Sequence, residues 1–319
     1  MVIKGERGVA LVLALAVIAL LVSLVVDFSY TMMVDLTLAA NLRDGQKAFY
    51  VARSGVELAK HLLQQDDPAF DSLDEDWALL AEHPGFLSAE DEGRFKVTIE
   101  DEATKIPINK LITGDKEKKV DLVVRAQLER LFELLELDPE LIDPIIDWLD
   151  PDNNPQPFGA EDAYYRGLPS PYPCKNGPLD ALEELLMVKG MTKEILYGTE
   201  ESKGLIQYLT LYSDGKININ TVSVEVLQSL SDTIDNVTAQ AIVDYRQKNP
   251  FQEIKYDDIK SLPGMTLEIF NDLQDQCDVK SSAFSLRAEG QVRDIKKVIY
   301  TVLKRDEKKG VETIFWRVE

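Results

Sequence analysis

The sequence predicts an α+β fold. A long amino-terminal helix packs on an antiparallel sheet, and a large all-α segment is inserted into that sheet. Three observations lead there. No proline occurs from Val9 to Asp67, so nothing interrupts a helix over that stretch. Apolar residues alternate at period two in one run before the middle of the chain and in three runs after it. Between those runs, residues 120–275 are mostly at helical spacing.

Val9–Val26 reads VALVLALAVIALLVSLVV, 18 residues without a charge. As a helix it spans ~27 Å, close to the hydrocarbon thickness of a bilayer. Lys4 and Arg7 precede it, and Asp27 and Asp35 follow. That asymmetry places the amino terminus in the cytoplasm and the bulk of the chain outside. A cleaved secretory signal needs a small-x-small site after the run, where Asp27-Phe28-Ser29-Tyr30 stands instead. A plain signal anchor is a second reading. A third rests on Gly8, directly before the run and behind a short charged leader. The helix continues past the membrane for ~85 Å in all, and Pro68 stops it. Leu38, Leu42, Phe49, Ala52, Val56, Ala59 and Leu63 recur at helical spacing and form the face for a globular head. Gly45 and Gly55 are weak points that such a helix tolerates.

Residues 66–93 are acidic and loop-like, with Pro68, Pro84, Gly85 and Gly93. Arg94–Glu100 alternates Phe95, Val97 and Ile99 and reads as a strand. Helices are expected at Val120–Leu137, Pro139–Leu149, Leu179–Val188, Lys203–Leu211, Ser223–Leu230, Ala239–Asn249, Asp257–Leu262 and Leu267–Gln274. After Cys277, three sets alternate: Phe284, Leu286, Ala288; Val298, Tyr300, Val302; and Ile314, Trp316, Val318. They read as an antiparallel meander, with turns near Gly290 and Lys309-Gly310.

Composition excludes several classes of function. Of 319 residues, 35 are Lys or Arg and 56 are Asp or Glu, a net charge of −21. A nucleic-acid backbone needs clustered positive charge and is a poor partner for this chain. Two cysteines, Cys174 and Cys277, exclude a disulfide-dense scaffold. An oxidising compartment permits a bond between them, but sequence alone says nothing of their distance. Two histidines, His61 and His83, leave little for His-based catalysis. No nucleophile elbow, Walker loop, zinc-protease or dinucleotide-binding motif is present, so the chain reads as a non-enzyme.

MVIKGERG followed by VALVLALAVIALL resembles the class III leader of type IV prepilin-like proteins. The resemblance implies cleavage by a prepilin peptidase between Gly8 and Val9, methylation of the new amine and retention of the apolar helix. Most pilins carry Glu at mature position 5, where this chain has Leu13. A carboxylate inside the bilayer is costly unless it meets a partner charge. In pilins that partner is thought to be the amine of the subunit ahead, and a subunit with nothing ahead has no use for the glutamate. Its absence resembles the minor pseudopilin K of type II secretion systems. The segments Gln46–Ala59 and Pro107–Leu111 resemble the same family.

Ile145–Tyr165 carries the sharpest chemistry. Asp150, Asp152 and Asn154 stand at i, i+2 and i+4, and Glu161 stands eleven after Asp150. These are EF-hand positions 1, 3, 5 and 12, but Pro155 occupies the position that needs glycine. With Asp162, these residues form a hard-oxygen donor set suited to Ca²⁺. A solvated acidic turn is the alternative. Asp143 and Asp147 read as a solvated helix face or as support behind the metal. The D-x-D…G-x-E-D-x-Y-Y arrangement at Asp150, Asp152, Gly159, Glu161, Asp162, Tyr164 and Tyr165 resembles the calcium loop of the K family.

Lys216–Met265 contains I-N-x-N-T, A-x-x-I-x-x-Y-R, P-F and a closing L-P-G. It resembles both the second helical half of the K family and the helix-hairpin-helix modules of DNA-uptake proteins. Its first turn, Ser231–Asp235, is acidic and lacks glycine, which argues against phosphate contact.

The resemblance thus implies a leader at 1–8, a pilin helix at 9–66, a split head at 67–110 and 278–319, and an α-domain at 111–277. It implies a single-pass inner-membrane protein with its bulk in the periplasm, at the tip of the type II secretion pseudopilus. There it starts or caps assembly for export of folded proteins across the outer membrane. Implied partners are the I- and J-type minor pseudopilins, the major pseudopilin, the prepilin peptidase and the inner-membrane assembly platform. The implied cofactor is structural Ca²⁺. The alternative is a membrane-anchored periplasmic helix-hairpin-helix DNA-uptake protein.

Overall fold

The computed structural model describes residues 6–67, 69–82, 85–86, 93–114, 119–306 and 310–319. The leader residues 1–5, Pro68, His83, Pro84 and Lys309, on which sequence expectations fall, lie outside the described residues. Helix α1 runs Glu6–Gln65, 60 residues without a break. Its apolar window has a mean hydropathy of 3.3, and none of that window is covered by protein. Its second half buries Ala48, Val51, Ala52, Val56, Ala59 and Leu63, a three-and-four spacing that keeps one stripe on the sheet. Leu38 and Leu42 do not join that face. They remain 56% and 64% exposed, so the uncovered apolar surface of α1 extends well past Val26.

The sheet has five strands: β1 (Gly85–Phe86), β2 (Gly93–Asp101), β3 (Ala283–Val292), β4 (Ile295–Asp306) and β5 (Gly310–Val318). They lie in chain order, and every neighbouring pair is antiparallel. The first core lies between α1 and this sheet and includes Trp77, Val97, Phe284, Ala288, Ile299 and Leu303. Trp77 meets Phe284 edge-on at 5.1 Å. Gly290 lies near the β3–β4 turn, as expected, but not in it. It lies inside β3, paired with Phe95 and Lys297, and the β3–β4 turn falls at Arg293, where φ is +53°. A Cβ on Gly290 would stand 2.1 Å from the Ala48 carbonyl oxygen and 2.4 Å from the Ala52 nitrogen. On the other side of this contact, a Cβ on Gly55 would meet Val97 Cγ2 at 2.7 Å. Both glycines let α1 lie close to the strands. Gly55 is therefore a packing position rather than a weak point.

Two ion pairs mark the ends of this packing. Asp44, almost fully buried, meets Arg293 at 3.3 Å near the membrane segment. Asp66 meets Arg305 at 3.0 Å where α1 ends. At that second, distal end the chain leaves β2 at Asp101 and returns to β3 at Ala283. Everything between is a helical unit with its own core, including Leu128, Phe132, Ile145, Tyr165, Leu185, Ile219, Leu227, Ile242 and Leu273.

The helices of this unit start where short polar side chains can cap them. Asp121 accepts from the Val123 and Val124 amides ahead of Leu122–Leu134. Ser223, Asp235 and Thr266 do the same for Val224–Ser229, Asn236–Arg246 and Leu267–Gln276. Two expected helices differ. Leu179–Val188 is the 3-10 segment Leu182–Met187. Lys203–Leu211 reduces to a 3-10 turn, Leu205–Gln207, and a strand, Leu209–Thr210, that pairs in parallel with Ile106–Pro107. A long-range pairing of this kind leaves no local periodicity. Cys174 and Cys277 are both buried and both free.

Candidate metal centre

The helix Ile142–Leu149 is buried along its whole length. Its two acids at i and i+4 therefore do not form a solvated face. Asp143 accepts from the Phe158 amide at 3.1 Å and from Arg125 at 3.4 Å. Asp147, fully buried, accepts from the Gln156 amide at 3.0 Å. These bonds fold the acidic loop back over the helix that precedes it. Gly159 passes so near that a Cβ would fall 1.8 Å from Asp147 Oδ2. This close approach is the physical reason for glycine at that point of the motif.

The fold brings together Asp147, Asp150 and Glu161. One carboxylate oxygen from each lies within 4.8 Å of the others, and all three residues are buried. Both Glu161 oxygens are buried without a hydrogen-bond partner. Burial, reinforced by Asp147, Asp150 and Asp152, pushes the Glu161 carboxyl up to about 7. Burial, then the neighbouring Asp152, pushes Asp150 up to about 6. A buried, unpaired carboxylate among like charges is a costly arrangement, and a hard cation on these oxygens would remove the cost. The residues fit such a group: three converging carboxylates, two orphaned acceptors and no nitrogen or sulfur donor in the cluster. A solvated turn does not describe them.

The other expected donors stand apart. Asp152 and Asn154 are exposed, and Asp152 accepts from both the Asn154 amide (2.7 Å) and its side chain (2.9 Å) in a local turn. Asp162 is engaged by Arg166, which holds its carboxyl below the usual range, and it accepts from the Cys174 amide at 3.2 Å. Pro155 stands where an EF-hand loop needs glycine, and Asp152 and Asn154 bond to each other rather than converging on Asp150. Asp147, one helical turn upstream of Asp150, is the acid that converges with Asp150 and Glu161. Its signal in the sequence was its i+4 spacing from Asp143, which alone cannot distinguish a surface from a site.

Aromatic side chains pack behind the cluster. Trp148 meets Tyr165 edge-on at 5.1 Å, and Tyr165 stacks on Tyr172 at 5.4 Å. Lys189 donates to the Phe158 and Gly159 carbonyls at 2.9 and 3.1 Å, fixing the loop from its far side.

The hairpin half offers no phosphate cradle. Asp232 in its first turn is bound by Arg130, and Asp235 caps the next helix through the Thr238 amide at 2.8 Å. In the closing turn Gly264, at φ +76°, presses on Thr238.

The uncovered apolar helix that becomes the buried spine of an antiparallel sheet defines a pilin-like subunit, here with a helical unit set into its distal end. Two models of the type II secretion system (T2SS), protein K, match residues 104–200 and 217–280. The chain is 26% identical to type II secretion system protein K of Aeromonas hydrophila, covering 95% of this chain and 94% of that one. It is 28% identical to the protein of the same name from Pseudomonas aeruginosa, covering 95% and 90%. One chain of the crystal structure of the GspK-GspI-GspJ complex from enterotoxigenic Escherichia coli shares the fold. Its TM-score is 0.70 at 20% identity, covering 88% of this chain and 99% of that one. The chain belongs to the type II secretion system protein K family, and its role is that of a minor pseudopilin. The DNA-uptake alternative is not favoured.

Proposed function

We propose that this subunit occupies the tip of the pseudopilus, where it starts or caps assembly and does no catalysis. The observation that carries this reading is the site of the insertion. Residues 102–282 leave and rejoin the sheet at the end of α1 farthest from the membrane segment. A subunit stacked ahead would meet the helical unit. Leu13 agrees with this: it is apolar and exposed on α1, and offers no carboxylate to an amine ahead. The I- and J-type minor pseudopilins are the proposed neighbours, supported by a related fold solved in a complex with such proteins. The proposed topology is a single inner-membrane pass with a cytoplasmic amino terminus and a periplasmic bulk. A prepilin peptidase cuts after Gly8 and methylates Val9, and the major pseudopilin and the inner-membrane platform are further partners.

Quantitative mass spectrometry of purified pseudopili tests this. The expected result is about one copy per filament, because only one end lacks a subunit ahead, and a chain that begins at N-methylated Val9. Repeated copies along the filament would remove the tip assignment.

The proposed cofactor is structural Ca²⁺ held by Asp147, Asp150 and Glu161. The hard-oxygen donor set and the orphaned Glu161 oxygens support it.

A further inference from the structure

The two cores are joined at the distal end of α1, and a second polar cluster lies there. Asp101, at the end of β2, is 3% exposed. Four neutral donors converge on its carboxylate. Oδ1 accepts from the Ala103 amide at 2.8 Å. Oδ2 accepts from Ser281 Oγ at 2.6 Å, Thr221 Oγ1 at 2.6 Å and Asn218 Nδ2 at 3.1 Å. Ser281 belongs to the return crossing into the sheet. Asn218 and Thr221 belong to the I-N-x-N-T segment of the helical unit. Asn218 Nδ2 also reaches Ser281 Oγ at 2.9 Å and the Asp71 carbonyl at 3.1 Å. Asp71 accepts from the Ser281 amide at 2.7 Å and is gripped by Arg305, which holds Asp66 as well. The same segment is anchored inward: Asn220 donates to the Phe251 carbonyl at 2.8 Å and accepts from its amide at 2.7 Å.

Clefts flank the junction, and Asp101 itself lines one of about 580 Å³. A cleft of about 470 Å³ separates the outer face of the sheet from the helical unit, with Leu182, Ile206, Leu211, Val302 and Phe315 among its walls. Two chain crossings flanked by clefts form a hinge unless something fixes the angle.

We propose that Asp101 and the Asn218–Thr221 segment form a buried latch that fixes the angle of the helical unit on the pilin head. A carboxylate is suited to this place because it accepts all four bonds without offering a donor of its own. An amide in its place would turn an N–H toward groups that also donate. Fully satisfied buried networks of this kind specify one arrangement rather than adding much net stability. Asp101, Asn218 and Thr221 are therefore positioning residues, and their loss releases an angle rather than unfolding either core.

Double electron–electron resonance on the detergent-solubilised full chain tests this. Spin labels are placed on Gln240→Cys and Glu312→Cys, both exposed, while the native cysteines are buried. The parent protein is expected to give one narrow distance. Asp101→Asn and Thr221→Val are expected to lose it to a broad distribution with helical circular dichroism unchanged, and Thr221→Ser, which keeps the hydroxyl, to restore it. A single narrow distance in folded Asp101→Asn and Thr221→Val would overturn the latch, as would a broad distance in the parent. If Asp101→Asn does not fold, the comparison of Thr221→Val with Thr221→Ser decides alone.

Discussion

Chelation with EGTA is expected to lower the melting temperature of the purified chain, and Ca²⁺ to restore it. An ion that binds only the folded form at a hundredfold excess over its dissociation constant contributes ~2.7 kcal/mol, or about 5–10 °C for a unit of this size. Mg²⁺ should restore less, because it prefers a smaller octahedral shell with retained water. Glu161→Gln separates site from scaffold. It removes one of three crowded charges, so the chelated protein should melt no lower than the parent while the response to Ca²⁺ disappears. The pH dependence follows from the raised carboxyls. In the chelated protein burial raises Asp150 to about 6 and Glu161 to about 7, above their unfolded values. The folded form therefore holds more protons than the unfolded form between those limits. Its extra stability is present at low pH and lost as pH rises through about 6 to 7. Thus the benefit of added Ca²⁺ should grow from about pH 5 to about pH 8. A calcium response that is flat in pH, or a parent that melts identically in EGTA and Ca²⁺, would return the cluster to a scaffold role.

How much of this was legible beforehand depends on the range of the interaction that decided each element. The long helix and the meander were legible because their patterns are local. Phe284, Leu286 and Ala288 do all face the core. The middle strand was harder. Val298, Tyr300 and Val302 alternate as well as Ile299, Thr301 and Leu303, and it is the second set that lies under α1, with Leu303 and Ile299 in the core. Both faces of β4 carry apolar residues because the helical unit covers part of the outer one, as Val302 in the cleft wall shows. Period two cannot choose between faces when both are partly covered. The metal cluster divides in the same way. Asp150 and Glu161 were visible by spacing, whereas Asp147 enters because Gly159 and the Gln156 amide bring the loop back over its own helix. The latch was visible only as a string, I-N-x-N-T, since its meaning depends on Asp101, more than a hundred residues away.

Substitution of three glycines by alanine should give effects of three different sizes and both signs, with Gly290→Ala the largest. At Gly290 the added Cβ meets backbone, 2.1 Å from one α1 carbonyl oxygen and 2.4 Å from one α1 nitrogen. Backbone inside a continuous helix cannot rotate away, so α1 must retreat from β3 as a body. Overpacking of this kind costs ~1–3 kcal/mol by itself. The retreat also loosens Val51, Ala52 and Val56 against the sheet, so a total above ~3 kcal/mol is expected. At Gly55 the nearest atom is a side-chain methyl, Val97 Cγ2 at 2.7 Å. Val97 can shift, and alanine recovers ~1 kcal/mol of helix propensity, so the net loss should be smaller. At Gly45 nothing lies within 4 Å, and alanine should stabilise by up to ~1 kcal/mol. Denaturant unfolding in detergent, followed by tryptophan fluorescence in a Trp148→Phe, Trp316→Phe background that leaves Trp77 between α1 and the sheet, reads all three. The order expected for stability is Gly45→Ala, parent, Gly55→Ala, Gly290→Ala. A Gly290→Ala protein as stable as its parent would mean that the close seating of α1 on β3 is not what holds the head together.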